Sequence, residues 1–457
     1  MSQTADDPQL ERLRQAGRRL RGDLVLPGDA DYAARRRLWN AWGERSPAAI
    51  AKCADAEDVT HALRIAAELG LQVTVRGGGH NIAGRSVADG ALLVDLSGLR
   101  GIVIRPETGR AIVQGGALWH DVDVASATVG LATTGGLVSS TGVGGFTLGG
   151  GCGWLMRRFG LAADNLIGAR VILPDGRLVR ATADDNPDLF WALRGGGGIG
   201  VVTEFEFRMH PMSRVMAGLI VWPAAEAARA LRAFREVAAQ APDEFCGMAV
   251  LTSAPPLPFL DAAWHGRPVL LQLACWSGAP DAAEPVLAPL RAIGRPLVDH
   301  IGPMPYVQWQ HINDGAAPPG RHHYWKTASF RELPDSVIDD LAAAALDLPT
   351  PFTELHVQHL GGAVARVPAD ETAFTQRDTG FFVNIIGTTL WADDRARLRE
   401  RVRALHERLA QQARPERLPN FTGPDDEGIA GQLAQEASQR LQALQQRYDP
   451  ERRFVSA

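Results

Sequence analysis

Lysine is almost missing from this chain: Lys52 and Lys326 stand alone among 47 basic residues. That bias points to a GC-rich, bacterial genome rather than to any chemistry. Cysteine is sparse too. Cys53, Cys152, Cys246 and Cys275 are scattered, with no C-x-x-C pair, which argues against a disulfide framework and a zinc site. No apolar run approaches the roughly 20 residues that span a bilayer. The first 22 residues are polar and read as a surface helix, with no apolar core of a secretory signal, so the cytoplasm is the expected place. Excess positive charge is also lacking. A net charge of −5 argues against nucleic acid or an anionic membrane surface as main partner.

Glycine is what the chain has in plenty, and it is clustered. Arg76-Gly77-Gly78-Gly79-His80-Asn81-Ile82-Ala83-Gly84-Arg85-Ser86 lies between two apolar runs, 71–75 and 91–96, that read as strands. Its glycines leave backbone N–H groups bare and able to close on an anion such as a diphosphate. Arg76 adds positive charge and Ser86 a hydroxyl donor. A tight turn with an incidental His80 is the other reading of this loop alone. A helix over 56–69, ended by Gly70, precedes it. The order strand, helix, strand, loop, strand is an α/β arrangement with the loop at a strand's carboxyl end.

A second glycine stretch covers 133–153. Its glycines are too many for a helix or a paired strand interior. Val, Leu, Phe and Trp154 are interleaved, and a solvated linker would not carry them. The stretch reads as backbone wrapped around a flat, hydrogen-bonding ligand. Strands are expected over 102–105 and 111–114, a helix over 118–129, and a hairpin over 169–182. Gly195 to Gly200 matches G-x-G-x-x-G, but a short helix (188–193) precedes it and a strand (201–209) follows. That is the reverse of a dinucleotide site. His210 reads as structural.

After Met212 the glycine clusters stop. Strands over 217–221, 246–251 and 269–276 alternate with helices over 224–239 and 282–293. Residues 302–326 read as loop. His322 and His323 are adjacent and point apart, so no metal is expected. Alternation places His356 and Gln358 on one strand face and His359 on the other. Helices over 393–411 and 428–446 close the chain.

The loop, residues 133–166 and 186–211, and Arg447-Tyr448-Asp449-Pro450…Phe454 together resemble FAD-linked oxidases of the berberine-bridge and 6-hydroxynicotine oxidase type. These belong to the vanillyl-alcohol oxidase/PCMH flavoprotein superfamily. The resemblance implies an α+β fold. A PCMH-type FAD-binding domain of two α/β lobes would occupy 1–212. A substrate domain with an antiparallel sheet covered by helices would occupy 213–412, and 413–457 would return to the first domain. The implied FAD contacts are Arg76, Gly77, Gly78, Gly79, His80, Asn81, Gly84, Ser86, Gly136, Ser139, Ser140, Thr141, Gly144, Gly145, Asn165, Gly198, Gly200, Val202 and Asn420. His80 stands where the family bonds the flavin covalently. Relatives with a second bond, from Cys, carry it where this chain has Val138. Cys152 lies 14 residues later, so a single bond through His80 is expected, with Cys152 as a packing residue. Thr141 holds a position that in plant relatives helps gate oxygen.

The implied reaction is hydride transfer from a C–H next to O or N to flavin N5, with O2 as acceptor giving H2O2. The substrate would be an amine, alcohol or secondary metabolite. Relatives place tyrosines of a Tyr-x-Asn-Tyr motif where this chain has Leu418 and Phe421, and only Asn420 is kept. A phenyl ring cannot accept a proton. Replacement bases are sought among His356, His322, His323, Tyr324 and Lys326. Two other readings stand beside the oxidase. One is a flavin-containing drug-binding or sequestering protein with little turnover. The other is a dehydrogenase or oxidative cyclase of secondary metabolism.

Overall fold

A computed structural model describes residues 8–415, 417–426 and 428–455. Strands Asp23–Val25, Ala49–Lys52, Leu92–Asp95 and Val73–Arg76 form a first sheet, in that order. The last three are parallel. Helix Ala56–Leu69 makes the crossover. Asp55 caps it by accepting from the Asp58 amide, and Gly70 ends it at φ 66°, where only glycine sits without strain. Val59, Leu63, Ile65 and Ala66 bury its apolar face. The loop of 77–86 therefore leaves an edge strand, half buried and held in register by its parallel pairing with Leu92–Asp95.

Five antiparallel strands form a second sheet, in the order Ile102–Arg105, Arg110–Gln114, Val201–Arg208, Leu166–Ile172, Leu178–Ala181. Along its middle strand Phe205 and Phe207 are buried while Glu204 and Glu206 are partly exposed, the period of two that a half-buried strand requires.

The second glycine stretch corrects an expectation: Val143–Leu148 is a short helix despite Gly144 and Gly145. Each glycine disfavours a helix by roughly 1 kcal/mol. Close packing overrides this. A Cβ on Gly78 would lie 2.4 Å from the Gly142 nitrogen, and one on Gly144 would lie 3.1 Å from the Gly115 carbonyl oxygen. The glycines let two loops touch.

A third sheet is wholly antiparallel. Its strands are β1 (Arg214–Pro223), β2 (Phe245–Ser253), β3 (Pro268–Trp276), β4 (Val298–Pro305), β5 (His322–Phe330), β6 (Glu354–His359) and β7 (Phe381–Thr389). Their order is β4-β1-β3-β2-β6-β7-β5. Helices Ala227–Gln240, Asp335–Ala345 and Arg395–Ala410 cover one face through a core that includes Phe234, Ile338, Leu341 and Val402. The expected loop of 302–326 is thus partly ordered: it holds the end of β4, helix Tyr306–Gln310 and the start of β5. Buried Tyr306 and Trp309 fix that helix.

Two end segments also depart from expectation. The surface helix expected over 1–22 is Pro8–Gly17, and Leu13 and Ala16 bury it; residues 1–7 lie outside the described residues. The closing helix begins at Gln435 rather than 428, because Gly428 precedes and Gly431 lies within a 3-10 turn over Ile429–Gln432. This helix packs Leu441 and Leu444 into the core of the second sheet. Beyond it the Val73 amide donates to the Arg453 carbonyl at 2.8 Å, and the Val455 amide to the Val73 carbonyl at 3.0 Å.

Candidate active site

A cavity of about 1670 Å³ runs between the glycine loops and the free face of the third sheet. Drug-sized pockets span roughly 300–1,000 Å³, so this one has room for a cofactor and a substrate together. Its first wall is backbone: Gly77, Gly78, Gly79, His80 and Asn81 from the first loop, Gly144 and Gly145 from the second, and Gly197 to Gly200 with Val202 from the third. Among the described residues, the amides of Gly78 to Asn81 donate to no protein acceptor. A Cβ on Gly145 would meet open space. Bare amides at a strand end and a shallow glycine floor fit the diphosphate and ring of a flavin dinucleotide.

His80 is half-buried in this wall. Its Nε2 lies 3.0 Å from Ser140 Oγ, and burial pushes its pKa down to about 4. The ring stacks on Trp39 at 5.0 Å, and the other side of Trp39 stacks on His323 at 4.1 Å. Asn40 ties the same segment down. Its Nδ2 donates to the Ile82 and His323 carbonyls, and its Oδ1 accepts from the His323 amide. An imidazole sandwich thus joins the first wall to β5. Nothing in the sequence around Trp39 signals this.

Several expected contacts lie elsewhere. Arg76 pairs with Asp95 at 2.6 Å and donates to the Arg35 and Arg37 carbonyls, so its charge holds the chain rather than an anion. Asn165 is buried beneath the loops. It donates to the Phe159 and Leu161 carbonyls and meets His210 Nε2 at 2.7 Å. His210 itself stacks on Phe159 at 3.9 Å, the structural role expected. Ser139 donates its amide and hydroxyl to Asp314. Gly84 closes a turn at φ 72°, and Gly136 accepts from Gln310. None of these lines the cavity, whereas Ser86, Val138 and Thr141 do. Cys152 also lines it, and burial pushes its thiol up to about 12.

The second wall is made of side chains. β6 presents Glu354, His356 and Gln358; β7 presents Asn384, Ile386 and Thr388; β5 presents His323 and Trp325. His356 faces Asn384 directly across the strands. Its Nε2 lies 2.7 Å from Glu354 Oε2. Glu354, two residues before His356, was legible from the same alternation that marks Gln358. Asn384 was not, because cross-strand register is absent from a local pattern.

Alternation also moves Tyr324 and Lys326 off the site. They point to the helix-covered face, opposite His323 and Trp325. Tyr324 donates to Asp425 at 2.5 Å and accepts from Arg403 at 2.9 Å. Lys326 pairs with Asp426 at 2.5 Å, both nearly fully buried. His322 shares their face and also lies outside the cavity lining.

The closing segment places Asn420 and Phe421 at the junction of the walls. Asn420 accepts from the Gly151 amide at 2.8 Å and donates to the Phe146 carbonyl at 3.1 Å. Phe421 stacks on Trp325 at 6.4 Å and meets Phe382 at 4.8 Å. Leu418 is buried. No cluster of metal ligands occurs among the described residues. No helix among them is long and apolar enough to cross a membrane.

Comparison with known proteins bears on this geometry. Residues 47–182 match the family model of an FAD binding domain. (R)-6-hydroxynicotine oxidase of Paenarthrobacter nicotinovorans is 30% identical over 334 residues, covering 72% of this chain and 71% of that protein. The crystal structure of 6-hydroxy-D-nicotine oxidase from Arthrobacter nicotinovorans superposes with a TM-score of 0.83 at 25% identity, over 95% of this chain and 96% of that one. Glucooligosaccharide oxidase from Acremonium strictum, described with a 6-S-cysteinyl, 8α-N1-histidyl FAD, shares the fold at a TM-score of 0.85 and 22% identity, over 98% of both chains.

Proposed function

This chain belongs to the FAD-linked oxidoreductases of the 6-hydroxynicotine oxidase and berberine-bridge type, and from that premise we propose that it oxidises a small organic molecule at a C–H beside oxygen or nitrogen, with O2 as final acceptor. Bound in the cavity, FAD supplies the two-electron acceptor. Residues 1–212 and 413–457 are assigned to holding it, and 213–412 to holding the substrate.

The His356–Glu354 pair in the cavity carries this assignment. An alcohol or ammonium yields its hydrogen poorly until a proton has left. With Nε2–H held by the Glu354 carboxylate, His356 keeps Nδ1 free to accept that proton. A base on β6 stands in where Leu418 and Phe421 offer none, which favours turnover over sequestration. Asn420 is bonded to the second glycine stretch and acts by positioning that loop. His80 is assigned the single covalent flavin bond: burial keeps its imidazole neutral at physiological pH, and Ser140 holds Nε2. Cys152, kept as a thiol by burial, forms no second bond.

Intact mass of acid-denatured protein with peptide mapping tests the cofactor assignment. One FAD adduct on the peptide holding His80 is expected, with none in His80→Ala. A colourless protein that binds no FAD sinks the proposal. Oxygen uptake with candidate amines and alcohols, and reoxidation of dithionite-reduced protein in air, test the acceptor.

A further inference from the structure

Residues 310–314 form a strap. It begins at the last residue of helix Tyr306–Gln310 and lies against helix Trp119–Ala127 and the second glycine stretch. Gln310 Nε2 donates to Asp123 Oδ2 at 3.2 Å, and His311 Nε2 lies 3.3 Å from His120 Nδ1. Asn313 Nδ2 donates to the Leu137 carbonyl at 3.1 Å. Asp314 accepts from the Ser139 amide at 2.8 Å and from the Ser139 hydroxyl at 2.7 Å. The strap therefore grips the glycine stretch one residue to either side of Val138, which lines the cavity. Its carboxylate makes the charge-assisted bonds, about twice as strong as neutral ones.

What the strap grips is a four-residue turn. The Thr141 amide donates to the Val138 carbonyl at 3.0 Å, which makes Ser139 and Ser140 its two central residues. Asp314 holds the first of them, and the second carries the hydroxyl 3.0 Å from His80 Nε2. A hydrogen bond is gone by about 3.6 Å, so a shift of the turn by roughly 0.6 Å releases the imidazole. Nδ1, the other ring nitrogen of His80, has no hydrogen-bond partner among the described residues and is not a buried orphan. In a neutral imidazole one nitrogen carries the proton and the other the lone pair, and the partner of the first decides which is which.

Resting on the reading of His80 as the site of the flavin bond, we propose that Asp314 and Ser140 are positioning residues for making that bond. Asp314 sets the turn of 138–141, Ser140 Oγ accepts from Nε2–H, and the lone pair is left on Nδ1. In the step they serve, a C–H bond of the flavin's 8α-methyl breaks, the Nδ1–C bond forms from the imidazole lone pair, and the Nε2 proton leaves through the Ser140 hydroxyl. The carbon is oxidised by two electrons. The ring system is reduced by the same two, with both protons, and O2 reoxidises it to give H2O2. A residue of the substrate half thus governs how the cofactor is fastened in the other half.

The test follows adduct mass with time when full-length protein, produced under riboflavin starvation, is incubated with FAD in air and quenched in acid. The covalent fraction of protein produced with ample riboflavin reads the same effect at its end point. Ser140→Ala and Asp314→Ala are expected to bind as much FAD as wild type but to form the adduct at least about tenfold more slowly, the worth of roughly one net hydrogen bond. Ser140→Thr keeps the hydroxyl and is expected to restore the rate. A wild-type rate in either alanine variant overturns the inference. So does loss of all FAD from both, which would make the strap part of the binding wall and not a positioning device. Wild-type protein that holds FAD without any adduct is a separate result: it sinks the reading of His80 itself.

Discussion

The two walls of the cavity are made of different material. The cofactor wall is largely main chain, gathered from three glycine loops. The substrate wall is side chains on three strands, and the backbone behind them is engaged in sheet hydrogen bonds and, at the edge strand β5, with Asn40. A wall made largely of main chain offers the same amides whatever surrounds it, so it suits a part that a whole family shares. A side-chain wall changes with every substitution, and that is where one member differs from the next. The contrast makes the first wall intolerant and the second tunable.

Gly78→Ala is expected to break the first wall outright. Its Cβ would lie 2.4 Å from the Gly142 nitrogen, and neither backbone can retreat without parting the loops. Soluble protein without flavin, or no soluble protein, is the expected result, read by visible absorbance after purification. A flavin-loaded alanine variant would show that the loops are not pressed together as described.

His356→Ala acts on the second wall and should leave the first untouched. The expected loss in kcat is about 10²- to 10⁴-fold, the usual worth of a positioned base, at unchanged flavin content. Stopped-flow reduction under anaerobic conditions measures it. An unchanged reduction rate would remove His356 from the chemistry.

Acid should weaken both walls. Burial holds His80 and His210 at about 4 and His323 at about 3, with His359 well below the ordinary 6.5. In the unfolded chain these groups take up protons below about pH 6.5. Between there and pH 4 the unfolded state therefore binds more protons, and stability falls as pH falls. Each histidine contributes up to roughly 1.4 kcal/mol per pH unit. Asp123, raised to about 7 by burial, works in the opposite direction but is one group against four. Urea midpoints near pH 7 and near pH 5 should show the loss, and a higher midpoint at the lower pH would contradict it.

The smallest effect belongs to Tyr324→Phe. Its hydroxyl serves Asp425 and Arg403 on the helix-covered face, so stability should drop modestly while kcat stays unchanged. A large fall in kcat with native flavin spectra would return Tyr324 to the chemistry.

These contrasts also explain what could be read in advance. Glycine clusters mark themselves, because only close backbone approach explains them, and the amides of 78–81 lie where the loop alone placed them. His356 and Gln358 were legible from the period of two along a single strand. Tyr324 and Lys326 were not set apart from Trp325 because 302–326 read as loop, and only the strand His322–Phe330 puts them on opposite faces. Arg76 sits in the loop, but its pairing with Asp95 depends on a parallel neighbour that no local pattern names. Trp39, brought from a distant segment to divide two imidazoles, had no local signal at all.

The bridge from Val73 to residues 453–455 has a consequence for how the protein is made. Phe454 and Val455 line the cavity beside Val73, so that end of the chamber has no wall until they have been translated. Closing that end of the chamber therefore depends on strand pairing between Val73 and residues 453–455, a long-range contact that the glycine loops do not make for themselves.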